Sequence, residues 1–160
     1  MNSSEQNLVQ QIFKCCSKRN LTICTAESCT GGSIASLLTT LPGSSQFFDR
    51  GIVTYSNKSK EELLNISPEV LEHYGAVSYE TATLMAENLV NNNNTIGIST
   101  TGILGPDSDN TRKPVGLVYI ALHYNNKTST EKFNLSGTRD QIKEQVITLA
   151  LKLCLSCLTN

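Results

Sequence analysis

One short stretch holds the residue types that could do chemistry: Thr25-Ala26-Glu27-Ser28-Cys29-Thr30-Gly31-Gly32. The β-branched run Leu21 to Thr25 in front of it predicts a strand, and a helix-like segment, Ser33 to Leu38, leads out, within a helix expected over about 29–40. Ser28 is therefore expected at a strand-to-helix corner. Such a corner exposes a hydroxyl and aims backbone N–H groups at whatever binds there. The two glycines let a ligand approach the backbone closely. An oxygen nucleophile beside N–H donors is what nucleophilic acyl transfer requires. The same position also suits a plain serine N-cap. Cys29 is a rival nucleophile, because a thiol at a helix start can have a lowered pKa, with a buried inert thiol as its ordinary reading.

A serine nucleophile needs a base. The chain has two histidines, His73 near an expected helix end and His123 inside an apolar strand. Neither lies in a loop of catalytic character, so a Ser-His-Asp triad has little support. A lysine can serve if it is partly desolvated and so neutral near pH 7. Tyr55-Ser56-Asn57-Lys58-Ser59-Lys60 offers two lysines just beyond a strand, each of which could equally be a solvated helix-start residue. Thr30, Gly31, Gly32 and Ser33 could cradle an anion, although the Gly-Lys-Ser/Thr ending of a P-loop is absent. The segment Thr101-Gly102-Ile103-Leu104-Gly105-Pro106 reads as a turn or a second backbone contact surface. Arg139 reads as a phosphate holder or a surface residue.

The elements that must position these groups follow from pattern. Leu8, Val9, Ile12, Phe13 and Cys16 mark an amphipathic helix over about 4–18. A strand is expected over 48–56 and a short helix over 57–64, and Ser67-Pro68 signals a further helix start. Ser78 is expected to cap a helix with Ala82, Met85, Leu89 and Val90 on one face. Strands are expected over 95–101, 115–124 and 128–135, with Asn125-Asn126 as a hairpin turn. The 115–124 strand is apolar enough to be buried on both faces. The polar 107–113 segment reads as a mobile loop. Thr138 and Gln141 form a capping-box signature for a long last helix whose face carries Ile142, Val146, Leu149, Ala150, Leu153 and Cys157. Strands separated by helices imply one α/β domain over 1–160 with helices on both faces of a mixed sheet. In such sheets ligands bind beyond the strands' carboxyl ends, where Ser28, Tyr55 and Thr101 all fall.

Composition narrows the function classes. The chain has 160 residues and a net charge of −1, with no basic block, which argues against nucleic-acid binding. No apolar run approaches a membrane span, and residues 1–6 lack the pattern of a secretory signal. A cytoplasmic location is therefore expected, with the six cysteines as thiols. Cys15, Cys16, Cys154 and Cys157 could be considered as a metal site, but core thiols are the expectation. A homo-oligomer is possible on general grounds.

Four segments in order resemble the CinA C-terminal domain family, the nicotinamide-nucleotide amidohydrolases. They are 25–32, 51–60, 101–106 and Lys113-Pro114-Val115-Gly116, and the likeness runs from about residue 6 to 157. The resemblance implies a three-layer α/β/α sandwich around a mixed, mostly parallel sheet. It implies hydrolysis of the carboxamide of nicotinamide mononucleotide to nicotinate mononucleotide and ammonia, with no cofactor and no metal. The family's serine nucleophile falls on Ser28 and its lysine base on Lys60, with Lys58 as the fallback. Tyr55 matches an active-site tyrosine that relays a proton or orients the lysine. Oxyanion donors are expected among the amides from Cys29 to Gly32. Substrate contacts are expected from Glu27, Cys29, Thr30, Gly31 and Gly32, and from Thr101, Gly102, Gly105 and Arg139. The chain departs from the family at Asp107-Ser108-Asp109-Asn110, where Gly-Gly is usual, at Leu104 and at Lys143. The alternative is a nucleotide-binding or partner-binding module of the same fold with weak or no turnover.

Overall fold

The structure, a computed structural model, describes residues 3–107 and 112–159. Five strands, β1 (Thr22–Glu27), β2 (Phe48–Val53), β3 (Thr95–Gly102), β4 (Leu117–Tyr124) and β5 (Lys127–Asn134), form one sheet in the order β2-β1-β3-β4-β5. β1 pairs parallel with β2 and β3, and β4 is antiparallel to both β3 and β5. All strands but β4 thus run the same way. The hairpin turn falls on Asn125 and Asn126, both with positive φ, a conformation asparagine tolerates well.

Helices cover both faces, giving three layers. On one side lie α1 (Ser3–Arg19), α2 (Ser33–Leu38) and α6 (Arg139–Thr159). They close over the larger core, in which Ile12, Phe47, Ile98, Ile120 and Val146 have no exposed surface. On the other side lie α3 (Asn57–Leu64), α4 (Pro68–Tyr74) and α5 (Tyr79–Glu87), over a smaller core around Cys24, Leu64 and Met85. The last helix buries Ile142, Val146, Ala150 and Cys154 at four-residue spacing, together with Ile147, Leu151 and Leu158. Leu149, Leu153 and Cys157, expected on the buried face, only flank it.

Local signals set the helix starts on the site side. Ser56 accepts from the Ser59 amide and Ser59 answers to the Ser56 amide, a capping box that begins α3 directly after β2. Ser78 caps α5 through the Thr81 amide. Thr138 and Gln141 exchange the expected pair of bonds before α6. The helix after β1 is the helix-like segment Ser33–Leu38 and does not extend over the wider span from about 29 to 40; its N-cap is Gly32 in the left-handed region at φ 92°. The intervening residues 28–32 form turns, because β1 continues to Glu27 and leaves Ser28 outside both elements.

The polar loop ahead of Lys113 is described only up to Asp107 and from Arg112. Ser108, Asp109 and Asn110, three of the four residues of the Asp107–Asn110 departure, lie outside the described residues.

Gly97 fixes how closely α5 lies on β3. A Cβ there would meet the Ala86 carbonyl oxygen at 2.3 Å, so the helix would have to lift. Gly97→Ala should therefore destabilise the protein by about 1–3 kcal/mol, read as a lower midpoint in urea unfolding. An unchanged midpoint would show that α5 is not held at this distance.

Candidate active site

Because β2, β1 and β3 are parallel neighbours, their carboxyl ends lie side by side. The chain leaves β1 towards α2 on one face and reaches β3 from helices on the other. The crevice beyond β1 is thus a topological switch point, where ligands bind in open α/β sheets. A cavity of about 180 Å³ opens there, and Ser28, Tyr55, Lys60, Thr101, Gly102 and Arg139 all line it. Ala76, Val77, Leu104 and Cys29 complete its wall.

Ser28 is held from both sides. Its amide donates to the Thr100 carbonyl of β3, and the Glu27 carbonyl before it accepts from the Thr54 amide after β2. Lys60, on the first turns of α3, is 0 % exposed. Its Nζ lies 3.1 Å from Ser28 Oγ and donates to the Thr54 carbonyl at 2.7 Å. The first distance is within reach for proton transfer. Burial lowers the Lys60 pKa from 10.5 to about 8, with a small opposing contribution from Cys29. Charging an amine that water cannot reach is unfavourable, so the neutral base is populated near neutrality.

Lys58 is not part of this arrangement. Its side chain is 79 % exposed and pairs with Glu62 at 3.6 Å. Residues two apart on a helix do not share a face, so α3 can turn only one of the two lysines towards Ser28. The rival nucleophile also falls away: burial pushes the Cys29 thiol up to about 12, so it stays protonated. The histidines lie elsewhere. His73 packs edge-on against Tyr74, and His123 Nδ1 bonds the Thr128 hydroxyl.

Tyr55 and Arg139 form the rim. The Tyr55 side chain is 64 % exposed, and its hydroxyl accepts from one arm of Arg139 at 3.1 Å. The other arm donates to the Gly105 carbonyl at 2.6 Å. The tyrosine hydroxyl is thus tied to Arg139, and Thr54 rather than Tyr55 orients the lysine. Thr101 lines the cavity with its hydroxyl turned to the Ala76 carbonyl.

Several expected substrate contacts have other partners. Glu27 accepts from the amides of Gly32, Ile34 and Ala35 at 2.8–3.1 Å and from the Thr25 hydroxyl at 3.4 Å. The Thr30 hydroxyl is buried against that of Thr100. Gly31 donates to the Ser28 carbonyl. Gly31 and Gly32 line a different cleft, with Glu5 and Glu144. Two carboxylates there disfavour an anion. Gly105 stands behind Arg139 instead of lining the cavity. The glycine turn is therefore an internal cap, not an anion cradle.

A profile of the CinA C-terminal domain matches residues 5–158. The chain belongs to the CinA C-terminal domain family. It is 49% identical over 150 residues to a competence-damage inducible protein of Clostridium botulinum (strain Loch Maree / Type A3), covering 93% of this chain and 37% of the relative. It is 50% identical over 129 residues to one from Acetivibrio thermocellus, covering 80% and 31%. The chain thus spans about a third of the length of these relatives. Among solved structures, the competence/damage inducible protein CihA from Agrobacterium tumefaciens superimposes with a TM-score of 0.92 at 34% identity, over 100% of this chain and 98% of that one.

Within this CinA domain, sequence reasoning missed Thr54, Ala76 and Val77. Thr54 precedes the family-like tyrosine and carries no distinctive type, yet its carbonyl holds Lys60 and its buried hydroxyl has no hydrogen-bond partner among the described residues. Among the described residues no group of three or more His, Cys, Asp or Glu is placed to hold a metal, and the six cysteines are free thiols. Among the same residues no helix is long and apolar enough to cross a membrane.

The burial of Lys60 has a direct readout. Its Nζ resonance should titrate at about 8 in the folded protein, against about 10.5 in the unfolded chain. Between these values the unfolded state binds the extra proton, so stability rises with pH across that window. A midpoint near 10.5 in the folded protein would show that the amine is solvated.

Proposed function

We propose that this domain hydrolyses the carboxamide of nicotinamide mononucleotide, giving nicotinate mononucleotide and ammonia. One observation carries the reading: a buried lysine of lowered pKa stands 3.1 Å from a serine hydroxyl at the end of β1. A structural lysine gains nothing from being dehydrated beside a hydroxyl, whereas a general base does. Family membership supports the same fold and site, and the substrate follows from the resemblance of the four motifs.

In this mechanism neutral Lys60 accepts the Ser28 proton as Oγ attacks the amide carbon. Of the amides after the nucleophile, Gly31 and Gly32 are engaged internally. Those of Cys29 and Thr30 have no carbonyl acceptor among the described residues and are the candidates for stabilising the oxyanion. Lys60 returns its proton to the departing nitrogen, and ammonia leaves an acyl-serine. Water then attacks that ester while Lys60 takes the proton and passes it to Ser28. The Arg139 guanidinium at the rim is suited to the nucleotide phosphate, and Tyr55 beside it presents an exposed aromatic face.

The deciding measurement is ammonia release from nicotinamide mononucleotide by the wild type and by Ser28→Ala. Release by the first and not the second supports the reading, and equal release overturns the nucleophile. Lys60→Ala should remove turnover while Lys58→Ala leaves it, and kcat/KM of the wild type should rise with pH to a plateau above about 8. Protonated Lys60 cannot accept the serine proton, which sets the sign. A chelator should leave the rate unchanged, since no step uses a metal. Loss of activity that added divalent metal restores would contradict the mechanism.

A further inference from the structure

The buried acid beside the nucleophile has no part in the proton transfers above. Glu27 is 1% exposed and immediately precedes Ser28. Its carboxylate reaches over the five-residue turn and binds the start of α2: Oε2 accepts from Gly32 and Ile34 at 3.0 and 3.1 Å, and Oε1 from Ala35 at 2.8 Å. These amides are the ones a helix start leaves without partners, so the carboxylate fills a place that a bound anion would otherwise take. Its backbone engages the catalytic pair from the other side. The Glu27 carbonyl accepts from Thr54, and the Thr54 carbonyl holds Lys60 Nζ.

We infer that Glu27 is a positioning residue for Ser28: one side chain ties the turn carrying the nucleophile to α2, while the same peptide unit ties it to the lysine's support. Charge-assisted bonds to backbone amides are short and directional. They hold the turn 28–32 where two left-handed glycines would otherwise let it move. This inference rests on Ser28 being the nucleophile.

The test follows Ser28 itself as well as turnover. Wild type, Glu27→Gln and Glu27→Ala, checked for folding by circular dichroism, are treated with a fluorophosphonate. This probe reports serine nucleophilicity whatever the natural substrate. Labelling of Ser28 should slow in both variants, more in alanine than in glutamine, because the amide keeps one acceptor oxygen. Turnover of nicotinamide mononucleotide should fall through kcat, by about 100-fold for alanine as expected for a displacement near 1 Å, with KM little changed. Formate should restore part of the Glu27→Ala rate by occupying the vacated helix start, and formamide less, since it offers one acceptor oxygen where formate offers two.

Wild-type labelling rates in folded variants, or a loss appearing only in KM, would overturn the role. Failure of both variants to fold would make Glu27 structural alone and overturn it as well. No labelling of Ser28 in the wild type removes the nucleophile and this inference with it. A labelled wild type that releases no ammonia overturns the substrate, and Glu27 is then judged on labelling rates.

Discussion

Taking the Lys60 amine out of water beside the Ser28 hydroxyl is the constraint around which this domain is arranged. An isolated buried ammonium is costly, so the protein must surround it with groups that accept the neutral form. The Thr54 carbonyl and the Ser28 hydroxyl do so. For both to be present, β1 and β2 must end level with each other, and α3 must begin at once after β2. The Ser56 capping box meets the second condition, and the parallel register of Glu27 with Val53 meets the first.

The second organising feature is the carboxylate at the end of β1. A strand-to-helix turn ordinarily offers its amides to a ligand, but here Glu27 occupies those at the start of α2. The cationic side chain of the cavity stands on the opposite wall, where Arg139 begins the last helix. One guanidinium links that helix, the 101–106 turn and the exposed ring of Tyr55. The cavity is thus bounded by buried, hydrogen-bonded groups on the Ser28 side and by long side chains, Tyr55 among them largely exposed, on the other.

Much of this was legible in the amino-acid sequence because it depends on local rules. The asparagine hairpin, the capping pair Thr138 and Gln141, the serine cap at 78 and the both-face burial of β4 each follow from a few neighbouring residues. The wider span of about 29–40 overshot the helix-like segment Ser33–Leu38 for a reason that lies outside it. Residues 28–32 have no feature forbidding a helix before Gly31, and the side chain that holds the amides of the Ser33 start lies at position 27, outside the window a capping rule inspects. The face of α6 was read one flank off, because its apolar residues outnumber one stripe and only packing against α1 and the sheet selects which are enclosed.

The sequence by itself determined the order of the elements, the placement of serine, lysine and tyrosine next to strand ends, and the family to which those motifs belong. Periodicity, caps and turns are short-range properties, so one chain suffices to read them. Only the tertiary structure decided that Lys60 and not Lys58 meets Ser28, that the Cys29 thiol stays protonated, that Glu27 is buried against the start of α2, that Gly31 and Gly32 line a different cleft, and that Thr54 holds Lys60. Those outcomes depend on desolvation and on hydrogen bonds between segments tens of residues apart, and whether a group is dry is fixed by what the rest of the fold lays over it.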